Sequence, residues 1–86
     1  MEIEFDNYKN NANCKKHGID FKQAQQLWND PDCIIMRARI PDEPRFLLIS
    51  KYNCKIWSAI FTMRNEKVRI ILVRMSRNNE EEIYQS

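Results

Sequence analysis

Lys9, Asn13, Lys16 and His17 recur at offsets of four, seven and eight residues. On a helix turning about 100° per residue, those offsets fall on one side. An apolar stripe would normally take them. Here they carry two ammonium groups, an amide and the only histidine of an 86-residue chain. Together with several arginines and a late tyrosine, Tyr84, the set suits one cofactor-free reaction, the cleavage of RNA. In that reaction the 2′-hydroxyl attacks the neighbouring phosphate, and the protein supplies a base, an acid and cations for the growing phosphorane charge. DNA lacks the 2′-hydroxyl and is not cut by this route. Other chemistries lack their signatures. A single glycine, Gly18, excludes a phosphate-cradling glycine loop. No Ser/His/Asp set stands at a known spacing, and no carboxylate cluster suggests Mg²⁺. Cys14, Cys33 and Cys54 form no Cys-x-x-Cys pair, which with one histidine argues against a zinc site. Neither a metal nor a cofactor is expected.

The elements that must hold these residues carry their own signals. Asp6 stands where an N-cap belongs and Gly18 where a left-handed C-cap belongs, with Lys15, Lys16 and His17 in the last turn. The pattern predicts a helix between them, with Tyr8 and Ala12 as its core contacts, preceded by a short strand that points Ile3 and Phe5 inward. Asp20 and Gln23 form a capping box for a second helix, and Ile19 can staple to Ala24. Phe21, Ala24, Leu27 and Trp28 recur along that helix, and Asn29-Asp30-Pro31-Asp32 ends it. Strands are then expected over 33–38, 45–51, 56–63 and 68–75, joined by a charged turn at 39–44 and hairpins at 52–54 and 64–67. The last strand is almost wholly apolar between its arginines, as a strand buried on both faces is. A short helix capped by Ser76, with acid in its first turns, closes the chain. The order β-α-α-β-β-β-β-α reads as one α+β domain over residues 1–86, its helices packed on an antiparallel sheet.

Charge and composition bound the rest. Residues 44–79 hold eight Lys/Arg against Glu66 alone, and the ends are acidic, so a net charge of +2 hides a strongly basic stretch. Such a stretch is either a phosphate-binding surface or a solvated sheet face. No apolar run approaches the roughly 18 residues of a membrane span, and the acidic N-terminus is no signal peptide. Three widely spaced cysteines fit buried thiols in a reducing cytoplasm.

Three groups of residues resemble the BrnT family of bacterial toxins, the ribonuclease halves of type II toxin–antitoxin pairs. The first is Phe5-Asp6, Lys9, Asn13, Lys16-His17-Gly18-Ile19, Phe21 and Ala24, continuing to Asp30-Pro31. The second is Glu43-x-Arg45-Phe46 followed by Ile49, and the third is Arg69-Ile70-Ile71, Arg74, Glu80 and Tyr84. The resemblance runs nearly end to end. It implies a RelE-like fold, RNA cleavage that stalls translation, and a BrnA-like antitoxin whose ribbon-helix-helix part binds the operon's own promoter. A dimer bridged by the antitoxin also follows from it. The chain departs from the family at Leu72-Val73-Arg74-Met75-Ser76, where Ser-Ala-Arg-Lys-Ala is usual, so one cation is replaced by Met75.

Within that resemblance His17 is the candidate for proton transfer, because an ordinary pKa of roughly 6.5 lets both its forms exist near neutrality. The alternative is that it caps a helix end. Arg45, Arg69 and Arg74 are candidates to hold the scissile phosphate with their planar forks. Positions 69 and 74 differ by an odd number, so a regular strand points them to opposite faces unless a bulge intervenes. Lys9, Asn13 and Lys16 either line the RNA path or tether the first helix to neighbouring backbone, the tether being favoured for Asn13. Tyr84 either stacks on a base or packs in the core. A competing reading is a binding module that holds an antitoxin, or RNA, without cutting. A toxin freed of its antitoxin is expected to expose an apolar patch near Ile40, Pro41 or Trp57.

Overall fold

The computed structural model of the chain describes residues 2–38 and 44–86, so Ile40, Pro41 and most of the charged turn lie outside the described residues. The chain begins with β1 (Ile3–Glu4) and α1 (Asn7–His17). A single helical turn, α2 (Phe21–Ala24), tightens at once into a 3₁₀ segment, Gln25–Asn29. There follow β2 (Ile34–Ala38), β3 (Arg45–Tyr52), β4 (Lys55–Arg64), β5 (Lys67–Met75) and α3 (Asn78–Gln85). The strands form one sheet in the order β1-β5-β4-β3-β2. The architecture is α+β, as the sequence order implies. No helix among the described residues is long and apolar enough to cross a membrane.

Strands β2 to β5 are antiparallel, but β1 runs parallel to β5, with Ile3 opposite Val68 and Glu4 opposite Arg69. Parallel neighbours need a long crossover, and here α1, α2, the 3₁₀ segment and three strands intervene between the two. Opposite charges help fix this pairing: Lys67 meets Glu2 and Arg69 meets Glu4, each at 3.4 Å. Both hairpins turn on two residues, Asn53-Cys54 and Asn65-Glu66, all four at positive φ between 52° and 65°. Such turns favour glycine at their second position. The one glycine is used elsewhere, at φ 75° after α1, where its N–H donates to the Cys14 carbonyl at 2.9 Å.

One face of the sheet carries the core. Ile19, Phe21, Ala24 and Leu27 pack on Leu48, Trp57, Ala59, Phe61, Val68, Ile70 and Val73. In β4 the odd positions 57, 59 and 61 point to this face, so Ser58 and Thr62 point away from it. In β5 the alternation breaks. Ile70 lies opposite Phe61 and Leu72 opposite Ile60, leaving Ile71 as an extra residue. This β-bulge reverses the phase of the strand. Val68 and Ile70 face the core before it and Val73 after it, and Arg69, Leu72 and Arg74 all point to the other face. α3 crosses that other face, where the Glu80 carboxylate accepts from the Ser58 hydroxyl at 2.9 Å.

α1 is attached in an unexpected way. Tyr8 and Ala12 are exposed, Tyr8 at 83%, and Asn13 is the buried residue of the helix. The Asn13 side-chain Oδ1 accepts from the Val73 N–H at 3.0 Å, and its Nδ2 donates to the Ile19 backbone carbonyl at 2.9 Å. The Asn10 side chain accepts from the Phe21 N–H at 2.7 Å. β1 pairs only with Val68 and Arg69, so α1 takes over the edge of β5 where that short strand ends. An edge of this kind offers backbone groups rather than an apolar surface, so amides, and not Tyr8 and Ala12, make the contact.

Candidate active site

Where α1 runs beside the bulge, the two elements leave a hollow of about 360 Å³. Lys9, Ala12, Asn13, Lys16 and His17 line one side, and Ile71 and Leu72 form the floor. The four α1 residues singled out by spacing thus share one rim. Lys9 and Lys16 are exposed and make no ion pair among the described residues. His17 is half-buried at the last turn, and its imidazole has no hydrogen-bond partner among the described residues. Burial, then the charges of Lys16 and Arg74, hold its pKa below the ordinary value and so favour the neutral form, the one that can take a proton.

Arg74 sits at the same end of β5, with its fork engaged. Its two terminal nitrogens donate to the two Glu80 oxygens at 2.7 and 2.9 Å, a bidentate pair. Glu80 also accepts from the Ser58 hydroxyl and, at 2.8 Å, from the Arg77 N–H. Ser58 in turn shares a 2.7 Å hydrogen bond with the Ser76 hydroxyl. The bonds from Arg74 pull the Glu80 carboxyl down to about 2 against the cost of burial. Ser76 is therefore not the cap of α3. Arg77 occupies that position, and Glu80 reaches back to its amide. The clamp of Glu80 on Arg74, backed by Ser58, was not foreseen; its trace in the sequence is Ser58, a small polar residue within an apolar strand.

The remaining candidates are dispersed. Arg69 shares the face of Arg74, because of the bulge, but lies at the β1 end and is paired with Glu4. Arg45 opens β3 on that same face, one residue beyond the Phe46–Phe61 pair. Tyr84 belongs to neither group. Its hydroxyl donates to Asp30 at 2.6 Å, and that bond, with burial, pushes its pKa up to about 12. Asp30 also accepts from the Lys51 and Asp32 N–H groups, at 2.9 and 3.0 Å. Burial opposes its charge, but these bonds, led by that from Tyr84, keep its pKa below the ordinary value. Tyr84 thus ties α3 to the end of the 3₁₀ segment.

A second hollow, of about 270 Å³, opens on the core face and is lined by Trp28, Ile35, Phe46, Phe61, Met63 and Val68. Trp28 stands edge-on to Phe61 there, with ring centroids 5.3 Å apart. Ile35 and Met63 are about half exposed at its mouth, at 52% and 48%, so the apolar patch lies here and not at Trp57, which is buried. The cysteines also differ from expectation: Cys14 and Cys54 are exposed, and Cys33 is half-buried.

A small α+β protein with a half-buried histidine beside exposed lysines at the edge of its sheet is the class that fold and site define. A model of the family described as "Ribonuclease toxin, BrnT, of type II toxin-antitoxin system" matches residues 5–80, and the chain belongs to that family. Membership implies an RNA target and an antitoxin partner. Among curated proteins none matches the chain.

Proposed function

We propose that this chain is a metal-independent endoribonuclease of the cytoplasm that inhibits translation and is neutralised by a BrnA-like ribbon-helix-helix antitoxin. The observation that carries the reading is His17 on the rim of the hollow, half-buried and without a hydrogen-bond partner among the described residues, with Lys16 beside it and burial, Lys16 and Arg74 all favouring its neutral form. The imidazole takes the proton of a 2′-hydroxyl, the alkoxide attacks the adjacent phosphorus, and the bond to the 5′-oxygen breaks. The 5′-oxygen leaves with a proton returned by the imidazolium, and a 2′,3′-cyclic phosphate remains. Lys16 and Arg74 offset the charge that gathers on the phosphorane. Lys9 and Lys16 guide the strand along α1, and Asn13 holds the helix against β5. The antitoxin covers the basic site and bridges two toxin chains.

The test is incubation of the purified chain with total cellular RNA in EDTA, followed by mapping of the new ends. Fragments ending in cyclic phosphate, absent with His17→Ala, are the expected result. Persistence of the fragments in the variant removes His17 from the chemistry. A second reading, a binding module that holds the antitoxin without cutting, is favoured by one feature: the Arg74 and Arg69 forks are both engaged by carboxylates. Folded chain that binds RNA but yields no ends establishes that reading instead.

A further inference from the structure

The hollow beside α1 is built for more than a phosphate. Its floor, Ile71 and Leu72, is apolar, as is Ala12 on its α1 side, whereas its rim bears Lys9, Lys16 and His17. Lys9 and Lys16 are seven residues apart, so their charges span about 10 Å along the helix axis. A row of that length follows a polyanion. An apolar floor beneath it suits a flat, uncharged group carried by the same polymer. Single-stranded RNA is such a polymer, because its unstacked bases can be splayed out and laid on protein surfaces. In a duplex the base faces are stacked on one another and cannot enter a hollow of this kind.

Tyr8 adds a second, independent observation. A lone exposed apolar side chain needs no explanation. Tyr8, however, is 83% exposed, and its hydroxyl has no hydrogen-bond partner among the described residues. It stands one turn before Ala12, on the adjoining strip of the helix surface, because residues four apart are neighbours there. An aromatic ring is thus presented at the edge of a cation-lined hollow, on a helix that does not use it for packing.

We propose that the hollow is a nucleobase site for single-stranded RNA, with Tyr8 as the platform for the neighbouring base. The inference rests on the ribonuclease reading for the place of the scissile phosphate, at His17. Ala12, Ile71 and Leu72 receive the face of one base, the Tyr8 ring stacks on the next, and Lys9 and Lys16 hold the phosphates that connect them. Stacking tolerates every base, so the site anchors the strand and fixes its register against His17 more than it selects a sequence.

The experiment uses a fluorescent single-stranded RNA with 2′-O-methyl groups throughout, which binds but cannot be cut, at one fixed salt concentration. Tyr8→Ala is expected to weaken binding about tenfold, within the range of a lost base–aromatic stack, and Tyr8→Phe to restore it to within about twofold. Ala12→Leu fills the hollow from an exposed helical position and is expected to weaken binding by a similar factor without loss of helix. An otherwise identical strand carrying abasic sites should bind wild type and variants alike. Equal binding by wild type and both variants overturns the proposal, as does the same loss on double-stranded RNA. Loss of antitoxin binding with RNA binding unchanged also overturns it, and assigns the hollow to the partner protein. Cleavage of unmodified RNA is read separately. Cutting without any effect of Tyr8 or Ala12 removes the base site and leaves the ribonuclease, whereas Tyr8-dependent binding without cutting removes the ribonuclease and leaves the base site.

Discussion

Two hollows among the described residues are of comparable size, about 360 and 270 Å³, and both are floored by apolar side chains. They differ in what surrounds the floor. The hollow beside α1 is ringed by Lys9, Lys16 and His17, which give it charge and a titratable group. The hollow on the core face is ringed by Trp28, Phe46 and Met63, which give it only more apolar surface. The first arises where a polar helix is tied to a strand edge by amides; the second arises where the helical layer stops short of the sheet. The contrast teaches that concavity follows from how layers end, whereas chemistry follows from which side chains the rim carries.

The sharpest way to break this contrast is to exchange loss of function between the two rims. His17→Ala should lower RNA cleavage about a hundredfold or more, the usual scale for a lost general base. Met63→Ala in the second hollow should leave the rate within about twofold. Equal losses in a single-turnover assay would show that the difference between the rims is not catalytic.

Next in size is the clamp behind Arg74. Glu80→Gln should lower stability by something on the order of 3 kcal/mol at neutral pH and reduce cleavage about tenfold, as Arg74 leaves its place. The pH dependence has a definite sign. The Glu80 carboxyl titrates at about 2 in the folded chain, below its ordinary 4.5. Its contribution is therefore full above about 4.5 and is lost as pH falls from there toward 2. Denaturant unfolding at several pH values should show this loss in wild type and a flatter profile in the variant.

A smaller effect separates the cations from the imidazole they influence. Cleavage should rise with pH through an ionisation lying below the ordinary histidine value, because burial, Lys16 and Arg74 all disfavour the protonated form. Lys16→Gln should move that limb upward by less than about one pH unit, since one of those causes is removed and the others remain. A limb that does not move assigns the ionisation to another group. Smallest is Lys9→Gln, expected to weaken RNA binding severalfold and to reduce the salt slope by about one, as for the loss of one phosphate contact. Arg37→Gln, on the β2 edge, should change neither.

Much of this was readable from the chain because it is local chemistry. Asp6 and Gly18 bound α1 as their types require, and Asp20 and Gln23 form the expected capping box, with bonds of 2.6 and 3.2 Å. The hairpin turns and the spacing of Lys9, Asn13, Lys16 and His17 also follow from residue types within a few positions. What failed was decided between distant elements. Tyr8 and Ala12 have the offsets of core residues, yet α1 meets an edge and not a face. Ser76 has the chemistry of a cap, but the Ser58 hydroxyl lies within its reach. Tyr84 is aromatic and late in the chain, and Asp30, 54 residues earlier, takes its hydroxyl. The phase of β5 depended on one extra residue that no local pattern marks.

That extra residue also sets the kind of mutation β5 can absorb. Side-chain replacements at Ile71 leave Arg69 and Arg74 on a common side, because facing is fixed by the count of residues between them and not by their identity. Loss of the one extra residue would return the strand to strict alternation with Arg69 and Arg74 four positions apart, still on a common side, whereas gain of a codon there would put them six apart across the bulge and turn Arg74 and everything after it to the opposite side. In a library covering every substitution, one-codon deletion and one-codon insertion, this segment should be permissive in the first two classes and intolerant in the third.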